Sequence, residues 1–491
     1  MKHVIVVGGG ITGLSAAYYL QRMAANQGVT LRITLLEQTN RLGGKIETIR
    51  RDGFQIEKGP DSFLARKLPM IDLARELGME DALVATNPKA KKTYILRRQK
   101  LHRMPPGLML GIPTELTPFM KTGLISWRGK ARAAMDLVMP RRKETSDESL
   151  GAFLTRRLGR EVVDQIAEPL LAGIYAGDTH ELSLQATFPQ FQAVEQKHRS
   201  LILGMRAGKR ESQVTSSIGE SGKPLSGTSG GLPSSVPAIA KNSVFLSYRN
   251  GLESLVEKLE ESLTGVYIRK GVPAERIVRS NCGSQLHLKL ADGDLIEADA
   301  IVLTVPLYAV GKLVGGSPAI DRLSALPYVS VANVIIGFDA HDITHPLDGS
   351  GFVVPREEGR FITACTWTSS KWDHIAPPTN VLLRCYVGRS GDERWMGLTD
   401  EDITNKVLSD VRELMGIDAK PIFVEVTRWH QSMPQYPVGH LEHVKQARAE
   451  LTERLPGVYM TGAAFHGVGL PDCIRQGKEA ATQVVDFVSL T

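Results

Sequence analysis

The residues with the clearest chemical meaning are three glycines and one acid near the N-terminus. Gly8-x-Gly10-x-x-Gly13 follows the β-branched run Lys2–Val7 and opens the segment Ile11–Met23. The first reads as a buried parallel strand and the second as a helix with small residues on one face. Gly8 permits a tight turn, Gly10 lets backbone approach a pyrophosphate, and Gly13 lets the helix pack closely on the strand. The first turn of such a helix offers N–H groups and the positive end of its dipole to phosphates. Glu37 ends a second predicted strand, Leu31–Glu37, 24 residues beyond Gly13, where a carboxylate can accept hydrogen bonds from a ribose. A glycine turn alone is as well explained by a plain structural bend. With both strands, the helix and the acid, it reads as a dinucleotide-binding βαβ unit.

A second phosphate-competent turn lies at the other end of the chain. Val458–Gly462 reads as a strand ending in a turn, and Gly467-Val468-Gly469-Leu470-Pro471-Asp472 leads into a predicted helix through Val484. Arg41-Leu42-Gly43-Gly44-Lys45 comes directly after Glu37, and a purely NAD-dependent fold has no need of a glycine doublet beside basic residues there. Two helix N-termini from opposite ends of the chain suit an extended FAD molecule held in one domain built from both termini. The other G-x-G occurrences, such as Gly349-Ser350-Gly351, lack a following helix, so no second dinucleotide fold for NADPH is visible.

The elements that must position these residues fit a globular chain of 491 residues, 42% hydrophobic and 23% charged, too long for one core. Further helices are predicted at Met70–Leu77, Ser149–Leu158, Glu161–Leu171 and Leu252–Leu259. Strands are predicted at Val266–Arg269, Leu286–Leu290, Ile301–Thr304, Val331–Phe338 and Leu382–Val387. Residues 207–241 are rich in Ser, Gly, Pro and Lys and read as an exposed insertion. Cys282, Cys365, Cys385 and Cys473 form no C-x-x-C, and Cys365 and Cys385 read as buried strand residues. His440 and His443 form H-x-x-H without further ligands nearby, so no metal is expected. The uncharged run Val4–Leu20 is broken by its glycines, and no spanning segment is expected. The pattern is that of a reduced cytoplasmic protein.

Charge is unevenly placed. Residues 87–143 carry fourteen Lys or Arg against Glu115 and Asp136, within a net charge of +6 for the whole chain. That segment raises the local concentration of anions, whether substrate carboxylates or phospholipid headgroups, unless it is simply a solvated basic face. Nucleic acid is not expected, because no zinc finger, RNP-like aromatic motif or basic zipper is present.

Several motifs carry a family resemblance. Gly8-Gly9-Gly10-Ile11-Thr12-Gly13, Arg41–Lys45, Glu57-Lys58-Gly59-Pro60-Asp61-Ser62-Phe63 and the Gly467–Asp472 turn resemble the flavin amine oxidase superfamily. Within it, Glu168-Pro169-Leu170-Leu171-Ala172-Gly173-Ile174-Tyr175-Ala176-Gly177-Asp178 is similar to the FAD-dependent protoporphyrinogen/coproporphyrinogen oxidases. So are Thr187-Phe188-Pro189, Thr427-Arg428-Trp429-His430 and Met433-Pro434-Gln435-Tyr436. The likeness runs nearly end to end, the insertion excepted, and leans toward the bacterial branch that oxidises coproporphyrinogen III to coproporphyrin III.

The resemblance implies an α/β plus α+β architecture. A Rossmann-like FAD-binding domain would comprise residues 1–65, 245–310 and 440–491. A mixed-sheet substrate-binding domain would comprise 66–90, 186–206 and 311–439. A basic, mainly helical domain would span 91–185, with a flexible insertion at 207–244. It also implies non-covalent FAD, O2 as acceptor with H2O2 as product, and a six-electron oxidation in haem biosynthesis. Flavin N5 would accept hydride from the meso carbons, and no side chain is expected to act as a catalytic base. FAD would be held by Gly8, Gly9, Gly10, Ile11, Thr12, Gly13, Glu37, Gln38, Gly43, Gly44, Lys45, Gly59, Pro60, Asp61, Ser62, Ala274, Trp429, Val468, Gly469 and Leu470. Substrate would meet Lys67, Arg66 and Gly173, with a lysine or arginine suited to a propionate. Transient handover of product to a ferrochelatase and peripheral membrane contact through the basic region are the further partners implied. Protoporphyrinogen IX as substrate, a flavin amine oxidase or desaturase, and a flavin-containing porphyrin carrier are the competing readings.

Overall fold

The computed structural model describes residues 1–208, 237–241, 243–279 and 285–490. The centre of the predicted insertion and Cys282 lie outside the described residues. The chain forms two compact units. The first contains Met1–Ala85, Pro237–Pro327 and Gly439–Thr491; the second contains Thr86–Val236 and Tyr328–Val438. Residues 66–85 and 311–327, expected with the substrate-binding segments, therefore pack in the first unit. Helix Leu68–Glu76 lies against the C-terminal helix, and helix Pro318–Ser324 lies against helix His440–Arg454.

The first unit is built on a five-stranded sheet whose neighbours are all parallel. Its strands are β1 (Lys2–Val7), β2 (Leu31–Glu37), β3 (Val266–Lys270), β4 (Ala300–Leu303) and β5 (Val458–Met460), in the spatial order β3-β2-β1-β4-β5. A parallel sheet covered on both faces needs continuous apolar strands, which is why Val4, Ile5 and Val6 are all fully buried. Each such side chain contributes roughly 1.5–3 kcal/mol over leaving it exposed. The chain leaves β1 through helix α1 (Ile11–Gln27) to β2 on one side, while β4 lies on the other. The turn after β1 therefore sits at the point where the strand order reverses, the usual ligand position of such sheets.

The C-terminal helix, α2 (Leu470–Leu490), follows β5 as α1 follows β1 and packs along α1. Gly477 allows this: a Cβ there would stand 2.5 Å from the Thr12 carbonyl oxygen. Further along, the Thr482 hydroxyl meets the Met23 sulfur at 3.6 Å. Thr12 pairs with Gly477 and Met23 with Thr482, so the two helices run parallel and both begin at the same edge of the sheet.

The second unit centres on a seven-stranded mixed sheet. Its order is Phe423–Pro434, Tyr328–Asp339, Asn380–Val387, Ile362–Trp367, Gly351–Val353, Thr93–Arg97 and Lys100–Arg103. The last two strands come from the basic segment, so part of it is sheet edge rather than helix. Cys365 and Cys385 stand opposite one another on neighbouring strands and are buried. Helix Asp400–Met415 covers the sheet with Ile403, Val407 and Val411 and starts at a capping box formed by Thr399 and Asp402.

The helices of this unit are held by one buried ion network. Arg157 and Asp136 have 0% exposure and meet at 2.6 Å. Asp136 also accepts from the Ser200 hydroxyl at 2.6 Å and from the Ile202 N–H at 2.9 Å, which caps the helix beginning at Leu201. Arg157 donates to the carbonyls of Pro140 and Arg199. Every polar atom so placed depends on its partner, because an unpaired buried charge has no solvent to turn to. Asp136→Ala is expected to lower the unfolding free energy by about 3–5 kcal/mol. Denaturant titration checks this; a change within about 0.5 kcal/mol, the range of a neutral surface substitution, would contradict it.

Candidate functional site

The turn after β1 is pinned from four directions. The Gly8 N–H donates to the Leu36 carbonyl at 2.8 Å, and the Thr304 hydroxyl, just beyond β4, donates to the carbonyls of Val7 and Gly8 at 3.0 Å each. The Gly43 N–H donates to the Gly9 carbonyl at 2.8 Å. The Gly9 N–H donates to Glu37 Oε2 at 2.7 Å. Gly8 has φ 110°, a conformation that disfavours a side chain, and Thr304 Oγ1 lies where its Cβ would be. Gly13 has a stricter reason: its Cβ would stand 1.8 Å from the Gly8 carbonyl oxygen, so α1 could not close on the turn.

Gly10 is different. A Cβ built there meets nothing within 4 Å, so the protein's own packing does not require glycine at this position. It precedes α1, which starts without a side-chain cap and with no acid in its first turn. Gly44 faces it, with the Gly10 Cα 3.2 Å from where a Gly44 Cβ would be. The result is an open, backbone-lined cradle at a helix N-terminus, which a side chain would fill and a pyrophosphate fits. Arg41 shapes its rim from outside, donating to the carbonyls of Leu42, Gly44 and Ile46.

Glu37 is 91% buried and is already engaged by protein. Besides Gly9, it accepts from the Thr39 N–H at 2.8 Å and the Thr39 hydroxyl at 2.9 Å through Oε1. Its carboxylate holds the glycine turn in place and retains one lone pair, on Oε2, for a ribose. Gln38 is exposed beside it, and the Val272 N–H donates to the Glu37 carbonyl at 3.1 Å. That contact brings the segment leading to Ala274 beside the end of β2, where the adenosine end of a dinucleotide would lie.

Lys45 is exposed at its surface, yet the surrounding chain desolvates it enough to pull its ammonium pKa down to about 8, against an opposing effect of the Cys473 thiol. Cys473 is buried in the first turns of α2, where burial pushes its thiol up to about 11 and the Thr12 hydroxyl works the other way. Thr12 and Cys473 thus meet where the two helices begin.

The segment at 59–62 is positioned by the short strand Phe63–Leu64, which pairs with Phe245–Tyr248. Gly59 is buried, Pro60 half-buried, and Ser62 donates to Asp61 at 2.8 Å. In the C-terminal turn Val468, Gly469 and Leu470 are all half-buried, and Gly467 has φ 111°. Ile11 and Thr12 are buried at the start of α1. The first unit therefore brings together the cofactor residues expected at 8–13, 37–38, 43–45 and 468–470.

Lys67 and Arg66 also belong to the first unit, with different surroundings. Lys67 is ion-paired with Asp472 of α2, whereas Arg66 is exposed and makes no ion pair among the described residues. Gly173 and Trp429 belong to the second unit. Gly173 is exposed near the end of helix Glu168–Tyr175, and a Cβ there meets nothing within 4 Å. That helix follows a π-turn at Val163–Ala167 and is hooked by Arg356, which pairs with buried Glu168 at 2.7 Å and donates to the Gly177 carbonyl at 2.9 Å. Burial raises the Glu168 pKa, and Arg356 opposes the rise. Trp429 is half-buried on strand Phe423–Pro434, opposite Val331.

Two features around the C-terminal turn carry no local sequence signal. Asp472 was visible only as a turn residue, and its partner lies 405 residues away. His440 read as a stray H-x-x-H member, yet it is fully buried and hydrogen-bonds the Phe465 carbonyl at 3.3 Å, bracing the approach to the C-terminal turn. Burial lowers its pKa to about 4, outweighing the backbone carbonyls of Phe465 and Ala464, and His466 and His443 add to the lowering. An imidazole that titrates near 6.5 when unfolded then takes up its proton earlier in the unfolded chain. Its contribution is full above about pH 6.5 and is lost as pH falls toward 4, on the order of 3 kcal/mol in all. The melting temperature of the wild type is expected to drop across that interval, and His440→Gln to flatten the drop; an unchanged profile in the variant would refute this.

Comparison with known proteins agrees with this geometry. The sequence model of the family described as flavin containing amine oxidoreductase matches residues 11–485. The chain is similar to a coproporphyrinogen III oxidase of Bacillus subtilis, 45% identical over 487 residues, 99% of this chain and 98% of that protein. It is similar to a Staphylococcus aureus protein of the same name, 39% identical over 99% of each chain. A solved structure from Exiguobacterium sp. 255-15, provisionally named a protoporphyrinogen oxidase, superposes with TM-score 0.84 at 38% identity over 98% of each chain. With a cradle for a dinucleotide at the strand-order reversal and a match across almost its whole length, the chain belongs to the flavin containing amine oxidoreductase family.

Proposed function

We propose that this chain binds FAD non-covalently and oxidises coproporphyrinogen III to coproporphyrin III, with O2 as final acceptor and H2O2 as product. The observation that carries the reading is the end-to-end, 45% identical relative named coproporphyrinogen III oxidase. The open cradle at Gly10 and Gly44 supports the cofactor. Bound FAD would supply the two-electron oxidation, three times for each porphyrinogen converted.

The residues do the rest. The start of α1 and Lys45 receive the pyrophosphate, and Glu37 keeps the glycine turn rigid while accepting from the ribose. The 59–62 segment, the backbone near Ala274, the Val468–Leu470 turn and Trp429 complete the FAD assignment. On the substrate side the proposal names Arg66 and Gly173, whereas Lys67, which the resemblance also puts there, is held by Asp472. Arg66 is the cation available to a propionate, while Lys67 would have to give up Asp472 to reach one. No general base is assigned, and the pyrrole and meso protons released as the ring aromatises would pass to solvent. Product would then pass transiently to a metal-inserting ferrochelatase.

A peripheral lipid contact is the second partner proposed. Among the described residues no helix is long and apolar enough to cross a membrane. Helix Trp127–Ala134 and the turn after it nevertheless present an apolar stripe to solvent, with Trp127 72%, Met135 50% and Val138 71% exposed. Exposed Arg128 lies within that helix and exposed Lys121, Arg141 and Lys143 flank the stripe in sequence, a pattern suited to anionic headgroups.

Two experiments test these readings. Mixed anaerobically with coproporphyrinogen III, the purified yellow protein is expected to bleach at its visible flavin band. Porphyrin fluorescence and peroxide should then appear on aeration. Faster bleaching by protoporphyrinogen IX would overturn the substrate, and no bleaching by either would favour a carrier. In sedimentation with phosphatidylglycerol vesicles, the protein is expected to pellet at low salt and to be released by Trp127→Ser with Val138→Ser. Failure to pellet would remove the membrane from its partners.

A further inference from the structure

We propose that the Lys67–Asp472 ion pair is a clasp that holds the Gly467–Leu470 turn in its binding shape, which makes Lys67 a positioning residue. The inference rests on the flavin reading of that turn. Asp472, in the first turn of α2, folds its carboxyl group back over the turn. A Cβ on Gly467 would lie 2.7 Å from the Asp472 Cγ, and one on Gly469 3.0 Å from Oδ2. No side chain fits between the carboxylate and the turn, so their positions are linked.

The rest of the turn is laced to α2 itself. The His466 N–H donates to Gln476 Oε1 at 3.2 Å, Gln476 Nε2 donates to the Gly467 carbonyl at 3.3 Å, and Arg475 donates to the His466 carbonyl at 3.0 Å. These contacts fix the turn to its own helix. Lys67 fixes it to another segment, whose backbone is well anchored. The Lys67 N–H donates to the Leu64 carbonyl at 3.1 Å, Leu64 lies in the short strand paired with Phe245, and Lys67 immediately precedes helix Leu68–Glu76. That helix packs against α2, so the ion pair closes a loop between segments 405 residues apart.

Electrostatics gives the clasp a second effect. An acid in the first turn of a helix is stabilised by the helix dipole, but an uncompensated carboxylate there also repels an anionic ligand. Asp472 stands at the edge where α1 and α2 both begin. The Lys67 ammonium neutralises it and leaves Lys45 and the helix N-termini to act on the phosphates. The pair is partly shielded, with side-chain exposures of 39% for Lys67 and 16% for Asp472, which places its strength between surface and buried pairs.

The test compares wild type, Lys67→Met, Asp472→Asn and the double variant, with Lys67→Arg as the conservative control. Two properties are read: thermal melting of flavin-stripped protein, and FAD affinity by quenching of flavin fluorescence. Each single substitution is expected to weaken FAD binding about tenfold, with the double variant no worse than either and Lys67→Arg close to wild type. Apo-protein melting should show the same non-additivity, which tests the clasp even without flavin. Additive losses would overturn the pairing. Wild-type FAD affinity in Lys67→Met with a raised KM for coproporphyrinogen III would return Lys67 to the substrate and end the proposal. A wild-type protein that binds no FAD would instead defeat the flavin reading, leaving the melting result to decide the clasp.

Discussion

The first unit depends on how closely the backbone of α1 is approached from two sides. On one side Gly13 lets the helix close against the Gly8 carbonyl; on the other Gly477 lets α2 close against the Thr12 carbonyl. Interiors pack as densely as organic crystals, so a single methyl group at either point would push a whole helix outward. With both contacts made, two parallel helices start side by side at the same edge of one sheet. Their N-terminal partial charges then sum over the same small volume, where a dinucleotide would meet backbone N–H groups.

Around that edge, the charged side chains act mainly on the protein. Glu37 has its hydrogen bonds committed to Gly9 and Thr39 and so sets the loop that a ligand meets. Arg41 donates to carbonyls of its own loop, and Lys67 holds Asp472. Groups fixed this way need no rearrangement when a ligand arrives, which is where preorganised sites gain affinity. The second unit uses a different device. Its helices contain fully buried Asp136 and Arg157, each of which depends on the other for its compensation.

Legibility in the sequence followed the physics of each element. The bounds of β1, β2 and the strand Leu286–Leu290 were readable to the residue, because two-sided burial or clean alternation marks them. Strand Phe423–Pro434 escaped, since Glu425, Arg428, His430 and Gln431 interrupt its apolar pattern; it is held by its pairing with Tyr328–Asp339. Helix Asp400–Met415 had a readable start in Thr399-x-x-Asp402 that went unused. The basic segment reads as a mixture of short strands and helices, and what the sequence leaves open is that Thr93–Arg97 and Lys100–Arg103 join the large sheet, because charge reports solvent and not hydrogen-bond partners.

The sequence by itself determined the nucleotide cradle. Glycine spacing, strand hydrophobicity and the acid after β2 are local properties, and the physics that requires them acts within about forty residues. It also determined that both chain ends contribute to one domain, since each carries its own glycine turn and helix. Tertiary structure alone decided the partners of the charged groups. Lys67 and Arg66 are adjacent cations in the sequence, but one is clasped by an acid 405 residues away and the other faces solvent. His440 has the composition of a metal ligand and the surroundings of a buried hydrogen-bond donor. The difference has one cause: the energy of a charge or a polar hydrogen depends on which atoms lie within a few ångströms, and only folding brings those atoms together.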